Sequence, residues 1–294
     1  MIKPGSPVTA VRPVTDVHVA PDAAAELITQ ARLGDLGEVL PLLDNIGEVL
    51  PLSPASGDWL RIRLAHDPKE GWAARSAFVE GAWPPAGEQV WRVQSLFANL
   101  HDGPSVRSRL LLTLMLGTPV LPLSPPPLSP SGGEGRGEEG WVRVRLPGEQ
   151  SAWVLAGDCC PGASAWAWQS PADLRAGLVR VAIRLLGLPY RWGGNTPLGL
   201  DCSGLVSLAS RLHGLELPHN ARRIAGDPRT APVTREALSL GDLIFFGDYA
   251  HVGLAVSNAE FIHATTHGSP GVQLSRLDDP HWSSRLDECR RLSP

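Results

Sequence analysis

The chain has 294 residues, 43% hydrophobic and 19% charged, a length that suits about two domains of roughly 150 residues. No apolar run approaches the ~20 residues needed to cross a bilayer, so a membrane span is excluded and a soluble globular protein is expected. With 26 basic against 30 acidic residues, a net charge of -4 and no basic block, nothing neutralises a phosphate backbone, and nucleic acid is excluded as a partner.

The start, Met1-Ile2-Lys3-Pro4-Gly5-Ser6-Pro7, lacks the apolar core of a secretory signal. A cytoplasmic protein is the expectation, with export by another route or a different start site as the alternative.

The N-terminal half contains a duplication. Trp59-Leu60-Arg61-Ile62-Arg63-Leu64 recurs as Trp141-Val142-Arg143-Val144-Arg145-Leu146, and each is followed by a second tryptophan, Trp72 or Trp153. Upstream, Pro21 and Gly34 correspond to Pro104 and Gly117 at the same offset of 83 residues. The apolar and basic residues of the repeated segment alternate with period two, the pattern of a half-buried strand. Closely spaced Gly, Pro, Asp and Asn mark turns between strands. Two small barrels of five or six strands are expected, over 8–80 and 88–160.

Both copies carry an insertion before the Trp strand. In the first it is a tandem repeat, Gly37-Glu38-Val39-Leu40-Pro41-Leu42 and Gly47-Glu48-Val49-Leu50-Pro51-Leu52. In the second it is a Pro/Gly-rich stretch over about 124–140, too poor in apolar residues to order itself. The elements Gly71-Trp72-Ala73, Gly117-Thr118-Pro119-Val120, Gly140-Trp141-Val142 and Ala152-Trp153-Val154 resemble bacterial SH3-like domains. That resemblance implies modules that dock cell-wall or other peptides.

Of the four cysteines, Cys159 and Cys160 are adjacent. No Cys-x-x-Cys pair exists and no His lies at zinc-like spacing, so neither a disulfide framework nor a metal site is indicated. Cys159, Cys160 and Cys289 read as incidental buried thiols. Cys202 is different.

From Ser170 the pattern turns helical. Ser170-Pro171 reads as an N-cap followed by Pro at N1, and Leu174, Leu178, Ala182, Leu185 and Leu186 recur at helical spacing as far as Gly187. After the glycine loop Pro189-Tyr190-Arg191-Trp192-Gly193-Gly194, the residues Leu205, Val206, Leu208, Ala209 and Leu212 trace a second helix closed by Gly214. Cys202 sits at that helix's N-terminus, whose ~0.3–1 kcal/mol of stabilisation for an anion is too little to make a thiolate by itself. A histidine is therefore required. Gly241–Phe246, His251–Val256 and Glu260–Thr265 read as strands, and the Ser257-Asn258-Ala259 turn folds the last two into a hairpin that brings His263 level with His251.

The segments Asp201-Cys202-Ser203-Gly204-Leu205, Pro189-Tyr190-x-Trp192-Gly193-Gly194, Gly241-Asp242-Leu243, His251-Val252-Gly253 and Ile262-His263-Ala264 occur in an order that resembles the NlpC/P60 family of cell-wall cysteine peptidases. The resemblance covers roughly 172–292. It implies an α+β architecture, two small SH3-like β-barrels followed by a circularly permuted papain-like catalytic domain. It also implies Cys202 as nucleophile, His251 as general base and His263 as its orienting partner, with the Cys202 amide and Tyr190 at the oxyanion. Tyr190, Asp201 and Ser203 would fix a free substrate N-terminus, with Trp192 beside them, and Glu70, Glu80, Trp72 and Trp83 are candidate barrel contacts.

The implied reaction is hydrolysis of the γ-D-glutamyl bond to diaminopimelate or Lys in murein stem peptides such as L-Ala-γ-D-Glu-diamino acid. A monomer is expected, with no cofactor and no metal. Family members often carry Pro-Arg where this chain has Pro218-His219, which places Arg222 or Arg223 as a substitute. Two other readings stay open: a thiol amidase or acyltransferase of related fold, and a non-catalytic cell-wall peptide-binding protein.

Overall fold

The repeated Trp-led segments become central strands of two sheets in the computed structural model, which describes residues 2–43, 49–50, 58–123, 140–162 and 166–294. Residues 44–48 and 51–57, which include part of the tandem repeat, and 124–139 of the Pro/Gly-rich insertion lie outside the described residues. The chain divides into two compact units, 1–165 and 166–294.

The first unit begins with β1 (Pro7–Ala10), β2 (Val14–His18), β3 (Leu27–Arg32), β4 (Leu36–Val39), the short pair β5 (Leu42–Leu43) and β6 (Val49–Leu50), β7 (Trp59–Leu64), β8 (Asp67–Ala74) and β9 (Phe78–Glu80). It continues with β10 (Trp91–Val93), β11 (Phe97–His101), β12 (Leu110–Met115), β13 (Pro119–Pro122), β14 (Trp141–Arg145), β15 (Ser151–Leu155) and β16 (Cys159–Pro161). The first sheet runs β3-β2-β8-β7-β4-β1-β9 and the second β12-β11-β15-β14-β13-β10-β16, the same order strand for strand. Each has seven strands rather than five or six, because the three-residue closing strands β9 and β16 carry no periodicity of their own.

The duplication reaches individual contacts. His18 meets Trp59 edge-on at 5.9 Å, as His101 meets Trp141 at 5.3 Å. His18 Nδ1 lies 2.8 Å from the Ala25 carbonyl and His101 Nδ1 2.9 Å from that of Ser108. Gly34 and Gly117 both have φ +84°, a left-handed turn that a side chain resists.

Two apolar clusters fill the sheets, one built on Val8, Ile62 and Ala73, the other on Val93, Val142 and Val154. Leu33, which follows β3 of the first sheet, belongs to the second cluster. Pro119 and Trp83 also close on Gly34, where an added Cβ would lie 2.6 Å from the proline ring. Packing at Leu33 and Gly34 thus joins the two sheets.

The second unit starts with α1 (Pro171–Arg184), where the Ser170 hydroxyl accepts from the Asp173 amide at 3.1 Å. Next come β17 (Asn195–Thr196), β18 (Gly199–Leu200), α2 (Cys202–Leu212), α3 (Ala221–Ala225), β19 (Thr230–Val233), β20 (Leu243–Phe246), β21 (His251–Ala255), β22 (Glu260–Thr265), β23 (Gly271–Arg276), α4 (Pro280–Ser283) and β24 (Leu286–Leu292). The large sheet is ordered β19-β24-β20-β21-β22-β23, with the C-terminal strand inserted between β19 and β20. Helices α1 and α2 pack on β21 and β22. No helix among the described residues is long and apolar enough to cross a membrane.

Candidate active site

Asp201 begins the site as the N-cap of α2, its side chain accepting from the Gly204 amide at 2.7 Å. The same oxygen accepts from the Ser203 hydroxyl and from His219 Nε2, each at 3.0 Å, while Oδ2 accepts from the Gly193 amide at 2.9 Å. Burial opposes ionisation of this carboxyl, but the adjacent His219 and the hydrogen bonds hold its pKa below the ordinary value. One carboxylate thus caps the helix and locks the glycine loop onto it. His219 supplies the basic partner; Arg222 is instead held by the side chain and carbonyl of Asp248.

The close approach of loop and helix needs Gly204, where a Cβ would collide with the Gly194 carbonyl oxygen. Tyr190 is tied to the same place by a parallel bridge to Leu200, two residues before Cys202. Its phenol pKa is raised by burial and by the neighbouring Cys202 and Asp201, so the hydroxyl keeps its proton.

Cys202 is the first residue of α2 and is 7% exposed. Its Sγ lies 4.0 Å from the Ala250 carbonyl oxygen and also receives the Val252 amide. The two residues that flank His251 therefore hold the sulfur. The sequence argument expects the helix terminus and an imidazolium to depress the thiol pKa. The structure reverses that direction: burial, followed by the charge of Asp201, raises it to about 12, against the amides of Val252, Ser203 and Cys202 itself. The resting thiol is neutral.

Sheet register puts the imidazoles together. Leu254 pairs with Ile262 and Ala255 with Phe261, while Phe246 pairs with His251. Because alternate residues share a face, His251, His263, Phe246 and Phe261 lie on one side of the sheet. His251 Nε2 is 2.7 Å from His263 Nδ1, and His263 Nε2 is 2.9 Å from the Ser275 hydroxyl on β23.

Burial lowers the His251 pKa to about 4 and, with the charges of His251, His267 and His281, that of His263 to about 2. Both rings are neutral at pH 7. A consistent assignment has His251 Nε2–H donating to His263 Nδ1 and His263 Nε2–H donating to Ser275 Oγ. The His251 Nδ1 lone pair is then left to accept a proton.

Trp282, 4% exposed, covers both rings. It stacks on His251 at 5.1 Å and 28°, and meets His263 edge-on at 4.7 Å and 83°. Sequence reasoning missed Trp282 and Ser275. The Asp279-Pro280 N-terminus of α4 was the one available signal for the tryptophan; for Ser275 the only signal is its place on the polar side of the alternating run Val272-Gln273-Leu274-Ser275.

The structure gathers Cys202, His251, His263, Tyr190, Asp201 and Ser203 into one site. Trp192 lies on the adjoining loop, 60% exposed. Glu70 and Glu80 belong to the first unit, where Glu70 pairs with Arg61 at 2.8 Å and Arg63 at 3.4 Å, and Glu80 accepts the Ser6 hydroxyl at 3.1 Å. Of their companions, Trp83 is 7% exposed. All four cysteines are buried thiols.

This arrangement coincides with a known family. Residues 187–291 match the model described as the NlpC/P60 family. Over 279 residues, 93% of each chain, the protein is 26% identical to dipeptidyl-peptidase 6 of Lysinibacillus sphaericus. It is 39% identical over 110 residues to murein DD-endopeptidase MepS/murein LD-carboxypeptidase of Escherichia coli K12, covering 36% of this chain and 56% of that protein. The crystal structure of an NlpC/P60 family protein from Bacillus cereus ATCC 10987 superposes with a TM-score of 0.75 at 21% identity, covering 98% of this chain and all of the other. That likeness concerns the fold. The segment 187–291, which holds Cys202, His251 and His263, thus matches the NlpC/P60 family model, in a chain whose N-terminal part is rich in β structure.

Proposed function

We propose that the protein is a thiol hydrolase of peptidoglycan peptides, cleaving the γ-D-glutamyl bond to a diamino acid in short murein fragments with a free N-terminal L-Ala. The observation that carries this reading is the seating of the Cys202 sulfur between the backbone groups that flank His251, with the His251–His263–Ser275 chain behind it. The names of the relatives, a dipeptidyl-peptidase and a murein endopeptidase, support the substrate class. The two N-terminal sheets are read as SH3-like modules beside this hydrolase.

A neutral thiol facing a neutral base favours proton transfer coupled to attack. As the Cys202 sulfur bonds to the γ-carbonyl carbon, its proton passes to His251 Nδ1. The developing imidazolium is steadied through Nε2–H by His263, itself oriented by Ser275. The negative oxygen meets the Cys202 amide and the Tyr190 hydroxyl. Collapse breaks the C–N bond while His251 returns the proton to the leaving amine. Water, deprotonated by His251, then cleaves the thioester, freeing the peptide carboxyl and regenerating the thiol.

Asp201 contributes a fixed negative charge. Its oxygens already accept four hydrogen bonds, so a substrate ammonium meets its field rather than a vacant acceptor. The test is incubation with L-Ala-γ-D-Glu-L-Lys and its diaminopimelate analogue beside Cys202→Ala. Release of the diamino acid by the wild type alone is expected. No release, while a thiol probe still labels Cys202, would overturn the reading in favour of another acyl substrate.

A further inference from the structure

Beside His251 lies a cavity of about 600 Å³. Its wall begins at Ala250 and His251 and continues through Trp282, His267, His281 and Arg285. Ala250 connects it to the nucleophile, since its carbonyl oxygen accepts from the Cys202 thiol.

Two features give the cavity a chemical character. No Asp or Glu is among its lining residues, and Arg285 is their one permanently charged side chain. The arginine also has a partner that carries no charge to balance its own. Arg222, Arg229, Arg276, Arg290 and Arg291 of the same unit each pair with a carboxylate. Arg285 Nη1 instead donates to His281 Nε2 at 2.8 Å, a contact that requires the imidazole to be neutral there and leaves the positive charge uncompensated. The His281 ring is fixed by stacking on His267, 3.6 Å apart at 9°. A planar cation held by a neutral partner at the edge of a carboxylate-free cavity is a site for an anionic, planar group.

The position of the cavity says which group. His251 hands its proton to the leaving amine, so that amine must come within hydrogen-bond reach of the ring. The rest of the leaving residue then occupies the space that His251 borders. When that residue is an α-amino acid at the end of a fragment, a carboxylate sits one carbon from the amine.

We infer that this cavity receives the leaving amino acid and that Arg285, positioned by His281, binds its carboxylate, which selects fragments whose leaving residue carries a free carboxyl group. This inference rests on the hydrolase reading above and adds the leaving-group side of the specificity.

The test compares kcat/KM for L-Ala-γ-D-Glu-L-Lys with that for its C-terminal amide, in wild type, Arg285→Ala and Arg285→Lys. The wild type is expected to favour the free carboxylate by about tenfold or more, the worth of one charge-assisted bond. That ratio should fall toward one in Arg285→Ala and be partly kept in Arg285→Lys. Product inhibition of the wild type by L-lysine, and much weaker inhibition by L-lysinamide, is the companion measurement and needs no variant to fold. A wild type that cleaves both peptides equally and is inhibited equally by both amines overturns the inference alone. So does a ratio that survives in Arg285→Ala. A wild type that cleaves neither peptide overturns the hydrolase reading and this inference together.

Discussion

His251 and His263 meet through Nε2 and Nδ1 at 2.7 Å, and this contact decides which nitrogen of His251 is free to take the thiol proton. The far nitrogen of His263 is occupied in turn by Ser275 at 2.9 Å. With both rings neutral, His251 Nδ1 is the accepting nitrogen when the donors run from His251 through His263 to Ser275.

Replacing His263 by Ala is expected to lower kcat by ~10²–10⁴, the usual worth of a correctly held base, with His263→Asn recovering part of the loss because its amide oxygen can accept from His251. Ser275→Ala should cost less, about tenfold. It should also perturb the 15N shifts that report the His263 tautomer, a change that general loosening of the sheet would not make specific to that ring.

The pH dependence follows from the direction of the shifts. The His251 pKa is lowered to about 4, so the base is present above that pH and is lost as pH falls through it. A kcat/KM profile with its acid limb near 4, rather than near the ordinary histidine value of about 6.5, is expected. Because burial raises the Cys202 thiol to about 12, alkylation by iodoacetamide should be slower at pH 7 than for a free thiol. It should keep rising with pH beyond 9.

The same burial links stability to pH. His251 and His263 have folded pKa values below their unfolded ones, so the unfolded chain binds the extra protons. Stability is complete above about pH 6.5 and falls below it by about 1.4 kcal/mol per pH unit for each ring, until the folded value is reached. Denaturant melts at pH 7, 6 and 5 should show this slope, and His263→Asn should reduce it.

Asp201→Asn tests charge separately from geometry, because the amide oxygen can still cap α2. It should destabilise the unit less than Asp201→Ala, which forfeits about 0.5–2 kcal/mol for the cap alone. If the charge of Asp201 reads a free ammonium, the wild type should reject an N-acetylated substrate and Asp201→Asn should lose that discrimination. Equal discrimination in both would refute the role.

Two packing substitutions check the architecture. Gly204→Ala should destabilise by about 1–3 kcal/mol despite the better helix propensity of Ala, since the Gly194 carbonyl has nowhere to go. Leu33→Ala, which empties a place in the second cluster from a residue beside the first sheet, should cost about 2–5 kcal/mol in thermal or denaturant melts.

Local patterns made much of this legible in the sequence. Period-two alternation identified β7 and β14, cap and spacing identified α1 and α2, and the repeat predicted two matching β units, whose common strand order the structure supplies. Cys202 and the two histidines were found because each stands in a strong local context, a helix start or an apolar strand. The insertion of β24 between β19 and β20 was not legible, because its Leu286–Leu292 segment is mostly charged and its pairing partners are remote in the chain.

The sequence by itself determined the candidate residues Cys202, His251 and His263 and the elements that hold them, because helix caps, strand alternation and turn residues act over a few positions. Tertiary structure decided the protonation states and the company those residues keep. The neutral thiol, the neutral imidazole pair, the Trp282 cover and the Asp201–His219 pair all depend on burial and on contacts between distant segments. Desolvation is set by everything packed around a group, and no short stretch of sequence contains it.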